Sequence, residues 1–257
     1  MVPRKRGTAM IKLNRSFPET RKLGKKLRDD SSGLALVEFA VSLPFFLGIA
    51  ITGVEVANYA AVTMQVNQIA LHVADNASRM GANNLVGAKR VEEIDINDVF
   101  TGARHEGRGL LFDGFHPYTD PGTNQTLARG NARIFLSSVE PVANPNPTNK
   151  FKISWQRCSG PGTHYRPLYG TKANTQNSSG IGPAGQQVTA PPNSALMFAE
   201  VHYHFSPILD LGFSNLVERD IVATSAMIVR DNRDLVGPVG GEGVYPTAGV
   251  TPSTCNF

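Results

Sequence analysis

Glu38 is the only ionisable side chain between Asp30 and Glu55 of this 257-residue chain, and it stands five residues after Gly33. The residues that follow it, Phe39 to Val54, include only Ser42 and Thr52 as polar members. A carboxylate beside such a run is expensive in hydrocarbon unless a positive charge pairs with it. Its chemistry is therefore electrostatic recognition.

Few other residues invite a chemical reading. His202 and His204, in VHYHF, are spaced i, i+2 and would share one strand face with Glu200. That spacing could begin a metal site, but no third ligand stands at a recognisable interval, and a polar, solvent-facing strand edge is the favoured expectation. DINDV (Asp95–Val99) lacks the glycine and the terminal glutamate of a calcium loop and reads as a turn or helix start. The chain has no G-x-S-x-G, Walker loop, H-E-x-x-H or strand-linked G-x-G-x-x-G. The glycines from Gly237 to Gly243 follow no helix start and read as flexible tail. Asn76, Asn124 and Asn177 head N-x-S/T sequons, which count for little in a bacterial-looking protein. The expectation is a non-enzyme with no cofactor and no metal.

Cys158 and Cys255 are the only cysteines. Two cannot build a zinc site alone, and neither belongs to a C-x-x-C. Outside the cytoplasm a single disulfide is the natural reading; in a reducing compartment two free thiols are the alternative.

These groups must be positioned by something, and the charge pattern indicates what. Net charge is +4, yet residues 1–33 hold ten Lys/Arg against three acids and the remainder holds 15 against 18. The basic excess thus belongs to a leader. A nucleic-acid surface would spread its basic residues over a fold with interleaved aromatics, and the leader has only Phe17, so no nucleic-acid partner is expected. With Leu34–Val37, the apolar run reaches the ~20 residues that cross a bilayer as a helix. Only Arg79 follows in the next thirty residues, so the positive-inside rule puts the N-terminus in the cytoplasm. A cleaved signal peptide is disfavoured, because no A-x-A site lies between Leu34 and Val62.

The helical pattern continues past the run. Val62, Val66, Ile69, Val73, Ala77 and Met80 recur at steps of three and four, one stripe of a helix. One helix from about Leu34 to Arg79 would be ~70 Å long at 1.5 Å per residue. Gly81, Asn83 and Asn84 supply its stop, and Pro44 inside it predicts a kink. VEEIDINDVF (Val91–Phe100) reads as a short helix or turn. Strands are expected over Ala132–Glu140, Lys150–Arg157, Leu196–Phe205 and Asp220–Arg230. In the second, Phe151, Ile153 and Trp155 alternate with Lys152, Ser154 and Gln156. The fourth is apolar on both faces and is expected to be central. Loops fill Pro141–Asn149 and Ser159–Asn193, and an irregular tail runs from Val236 to Phe257.

DDSSGLALVEFAVSLPFFLGIAITGVEVANY combines a glycine before the run, ALVEFA with its acid, an LP pair and a closing Gly-x-Glu. It resembles the TadE-like family of tight-adherence (Flp-type) pilus assembly proteins over about residues 29–75. The resemblance implies cleavage by a prepilin peptidase between Gly33 and Leu34, which makes Glu38 the fifth mature residue. There it would pair with the new α-amino group of a neighbouring subunit. It further implies an α+β protein: a cytoplasmic leader (1–33), a transmembrane helix continuing as an amphipathic one (34–80), and a β-rich, pilin-like extracytoplasmic domain (81–257). The implied partners are the bacterial inner membrane, other pilus assembly proteins and pilin-like subunits. The size of the body argues against the major filament subunit. The alternative is a membrane-tethered extracytoplasmic binding or enzymatic domain that never enters a pilus.

Overall fold

The computed structural model describes residues 24–26, 32–82, 87–208, 219–238 and 242–256. Most of the leader, and Asn83 and Asn84, lie outside the described residues. The chain divides into two compact units, Met1–Val54 and Glu55–Phe257. The fold is α+β, a long apolar N-terminal helix followed by a β-rich region.

Helix α1 spans Ser32–Arg79 and runs through Pro44. Within the second unit its stripe behaves as the spacing dictates: Val66, Ile69, Val73 and Ala77 are no more than 1% exposed, and Ala70 and Ala74 widen the buried face. The polar faces carry His72, whose Nδ1 lies 2.8 Å from Glu106, and an Asp75–Arg79 ion pair one turn apart. The helix ends where Gly81 takes φ +111°, and a Cβ there would meet the Arg90 carbonyl oxygen at 2.7 Å. Both the dihedral and the close approach favour glycine.

Strands β1 (Val91–Glu92), β2 (Phe115–Thr119), β3 (Thr126–Gly130), β4 (Ala132–Pro141), β5 (Phe151–Ser159), β6 (Leu196–His204), β7 (Asp220–Ile228) and β8 (Val244–Tyr245) follow. The main sheet is antiparallel in the order β5-β4-β6-β7. β1 and β8 pair in parallel, so the tail is not irregular throughout. Helix α2 (Glu93–Glu106) begins on the DIN stretch, where the Glu92 N–H donates to Asp95 Oδ2 at 2.8 Å. DINDV is thus helix.

Two expectations need correction. Asp220–Ile228 is an edge strand, and β4 and β6 are the central ones. Small and apolar residues read as buried on both faces, but only Ile221, Ala223 and Val229 are, while Val222 and Ile228 are exposed. The alternation in β5 is also broken. Ser138 pairs with Trp155 and Val139 with Ile153, so Ser154 bulges from the ladder. An inserted residue reverses the faces beyond it. Trp155 therefore joins one core, and Phe151 and Ile153 join another.

The sheet is covered on both faces over β4, β5 and β6. One face, with Ile134, Leu136, Met197, Ala199 and Val201, packs against the stripe of α1 and against Ile96, Phe100 and Ala103 of α2. A buried ion pair ties α2 to β5: Arg157 Nε donates to both Glu93 carboxylate oxygens, at 3.2 and 3.0 Å. The opposite face is covered by the long loop after β5. Tyr169, Ile181, Val188 and Ala190 from that loop pack on Phe151, Ile153 and Phe198, and Tyr165 packs on Phe135 and Cys158.

Candidate functional site

In the first unit α1 presents an apolar surface with one acid. Leu34, Leu36, Phe39, Val41, Phe45 and Phe46 are between 62% and 71% exposed. Among the described residues, α1 is the one helix long and apolar enough to cross a membrane. The two hydroxyls inside its apolar run are satisfied internally: Ser42 donates to the Phe39 carbonyl at 3.1 Å and Thr52 to the Gly48 carbonyl at 2.8 Å. Back-bonding of this kind removes the cost of a polar side chain in an apolar medium. Pro44 cannot donate to the Ala40 carbonyl, which loses its intrahelical partner.

Glu38 lies exposed on this segment. Gly33 and Leu34 are in its first turns, and a Cβ added at Gly33, Gly48 or Gly53 would meet nothing within 4 Å. With Ala35, Ala40 and Ala50, these residues keep parts of the surface shallow enough for close helix approach. Among the described residues Glu38 has no ion-pair or hydrogen-bond partner.

In the second unit the VHYHF strand departs from expectation. Glu200 and His202 are 2% and 4% exposed, on a central strand and not a solvent-facing edge. Polar residues at alternate positions of β6 suggest a wet face, but the loop after β5 covers it. His202 Nε2 lies 2.5 Å from Glu200 Oε1, and the Leu168 N–H donates to the same oxygen at 2.7 Å. This buried pair anchors the covering loop. Its atoms are engaged with one another, and among the described residues no group of three His, Cys, Asp or Glu side chains could hold a metal.

At the end of β6 a second cluster forms from four separate segments. The His116 ring of β2 stacks on His204 with centroids 3.6 Å apart, and His164 of the loop meets His116 edge-on at 6.1 Å. Asp220 Oδ1, at the start of β7, lies 3.1 Å from His204 Nδ1 and accepts from the Tyr165 hydroxyl at 2.8 Å. Burial, with Arg129 and the neighbouring imidazoles, pushes His164 down to about 4. Burial and His204 lower His116, against the hydrogen bond from its side to Asn131. The bonds from His204 and Tyr165 hold Asp220 below the usual carboxylate range. The cluster therefore docks the β2–β3 hairpin through the stacked His116 and His204 rings, beside the Asp220 carboxylate.

Cys158 and Cys255 stand at disulfide distance, with Cα atoms 5.0 Å apart. The tail is also held by main-chain contact, the Cys158 N–H donating to the Ser253 carbonyl at 2.8 Å. A separate cavity of about 470 Å³ is lined by Glu140, Lys152, Ser154, Lys172, Gln176 and Glu242 together with apolar residues such as Ile153 and Leu235. Lys172 and Glu242 pair across its rim. Burial raises Glu140 above the ordinary range, opposed by its serine neighbours and Lys152. The charges lining the cavity are of both signs, which gives it no marked preference for an anion or a cation.

Comparison with protein families, with curated proteins and with solved structures gives no match.

Proposed function

We propose that the chain is a membrane-anchored, pilin-like component of tight-adherence (Flp-type) pilus assembly. In this reading the apolar half of α1 spans the bacterial inner membrane with the basic leader in the cytoplasm. The β-rich unit is then periplasmic, and a prepilin peptidase cuts between Gly33 and Leu34. Other pilus assembly proteins and pilin-like subunits are its partners.

One observation carries the reading. The apolar half of α1 is uncovered by protein, and its single carboxylate, Glu38, sits five residues past a glycine with no partner of its own among the described residues. Cleavage after Gly33 creates an α-amino group at Leu34. In an assembly of such helices, that cation on one subunit neutralises Glu38 on the next and fixes their axial offset. A one-residue error in offset leaves both charges unpaired in hydrocarbon, at a cost of several kcal/mol for an intramembrane charge. Register follows from electrostatics, and adhesion between the helices from the small residues around it.

The test is Glu38→Ala in cells. The variant is expected to accumulate in the membrane with its β-rich unit folded, while pilus number falls. Normal piliation with Glu38→Ala would leave a tethered periplasmic binding or enzymatic domain as the better account.

A further inference from the structure

The two edges of the main sheet are treated differently. The outer edge of β5 is occupied: Phe151 and Ser178 exchange main-chain bonds at 2.7 and 2.8 Å, and the N–H groups of Ile153 and Cys158 donate to Thr175 and Ser253. The outer edge of β7 has no main-chain partner among the described residues. Its free groups can be identified. The Val229 N–H donates to Ala195, and Arg219 accepts from Phe205, so odd-numbered residues face β6. In an antiparallel ladder alternate residues bond to opposite sides. Val222, Thr224, Ala226 and Ile228 therefore direct their N–H and C=O groups outward.

Nothing in the strand protects that edge. From Ile221 to Val229 there is no charge, proline or bulge, the usual defences against edge-to-edge pairing. The charges are at the two ends instead, Arg219-Asp220 and Arg230-Asp231. This order is self-complementary. Laid antiparallel against itself about Ser225, the strand sets Asp220 opposite Arg230 and Arg219 opposite Asp231. The exposed Val222 then faces Ile228 on one side of the sheet, and Ile221 faces Val229 on the other. The same register pairs even residues with even ones, as the outward groups require. A parallel arrangement would instead set Asp220 beside Asp220 and Arg230 beside Arg230, which repel.

We propose that β7 is a homotypic assembly edge, pairing antiparallel with β7 of a second copy of this chain about Ser225 to continue the sheet across both. Asp220 and Arg230 have side chains 54% and 59% exposed, so a second partner has access to them. Among the described residues both side-chain bonds to Asp220 fall on Oδ1, which leaves Oδ2 for the incoming guanidinium. Arg230 reaches Asp75 only through Nη2 at 3.4 Å. Asp231 keeps its bond to Lys89 at 2.7 Å and presents a carboxylate 38% exposed. The proposal is independent of the pilus reading, since it concerns the β-rich unit alone.

The full chain in detergent is tested by mass measurement and by cysteine cross-linking. Ser225 is at the centre of a non-hydrogen-bonded pair, where Cα atoms come within roughly 4.5 Å and a disulfide fits. Under mild oxidation Ser225→Cys is expected to give covalent dimer at least about tenfold more efficiently than Val222→Cys alone, whose partner in this register is Ile228. Val222→Cys mixed with Ile228→Cys is expected to cross-link. A wild-type chain that is monomeric by mass, with Ser225→Cys uncross-linked, overturns the proposal. Equal cross-linking of Ser225→Cys and Val222→Cys alone overturns the register, and with it the proposal.

Discussion

Arg233 closes the end of α1 by donating from Nη2 to the Met80 carbonyl at 2.8 Å, with a second bond to the Ala77 carbonyl at 3.1 Å. The last carbonyls of a helix have no intrahelical partner, and they carry the negative end of its dipole. A guanidinium supplied from the chain after β7 answers both needs. Burial lowers Arg233 to about 10, with Asp231, Asp95 and Glu140 opposing, so it stays charged at neutral pH.

Arg233→Met should preserve volume while orphaning the two carbonyls. The expected loss is about 1–3 kcal/mol of stability, the penalty for buried acceptors left unsatisfied. Equilibrium unfolding by urea, followed by Trp155 fluorescence, reads it. An unchanged midpoint would mean that water replaces the guanidinium there.

Acidification should loosen the β2–β3 hairpin. His164 and His116 have folded pKa values below their ordinary 6.5, so the folded state favours their neutral forms. Such groups add stability above pH 6.5, and it is lost as pH falls towards about 4. Asp220 acts in the same direction below its ordinary 3.8, whereas Glu140, raised by burial, works oppositely. Arg129 adds repulsion once the rings are charged. Hydrogen exchange over Phe115–Gly130, corrected for intrinsic rate, should accelerate between pH 6.5 and 4.5 in the wild type. In His116→Gln/His164→Gln the acceleration should be much reduced. An identical pH response in the variant would remove the histidines from the account.

Cys158 and Cys255 should be recovered as one linked peptide pair when the protein is isolated from cells without reductant. Their separation is 97 residues. A loop of that size corresponds to about 4.7 kcal/mol in the chain-entropy model, less any native strain. Reduction should also expose the tail around Val244–Asn256 to protease before the sheet unfolds. Two free thiols in protein isolated from cells without reductant would contradict the bond.

The residue pattern carried the long-period features of this fold and missed those made by distant segments. The α1 stripe was legible because burial repeats at the helical period, and β4, β5 and β6 were legible as apolar runs between turn-rich loops. The edge position of β7 was not, since an apolar run does not itself tell whether a strand lies on its outer side. The Ser154 bulge left no mark in the sequence, because it is an agreement between two strands. His202 and His204 drew attention as a pair, yet they belong to different clusters, one buried with Glu200 and the other stacked on His116. His116 and His164 come from a hairpin and a loop, and only the topology brings them together. The β2–β3 hairpin itself was missed: a proline and a largely exposed surface hide its alternation.

N-terminal sequencing of the protein extracted from membranes of its native cells tests the central claim most directly. Processing as a pilin-like subunit predicts a mature chain that begins at Leu34, with Glu38 at position five. The same experiment in a strain lacking prepilin peptidase should return the leader intact. A chain from wild-type membranes that still begins with the leader, Gly33 joined to Leu34, would contradict the account, because Glu38 would then have no new α-amino group to meet.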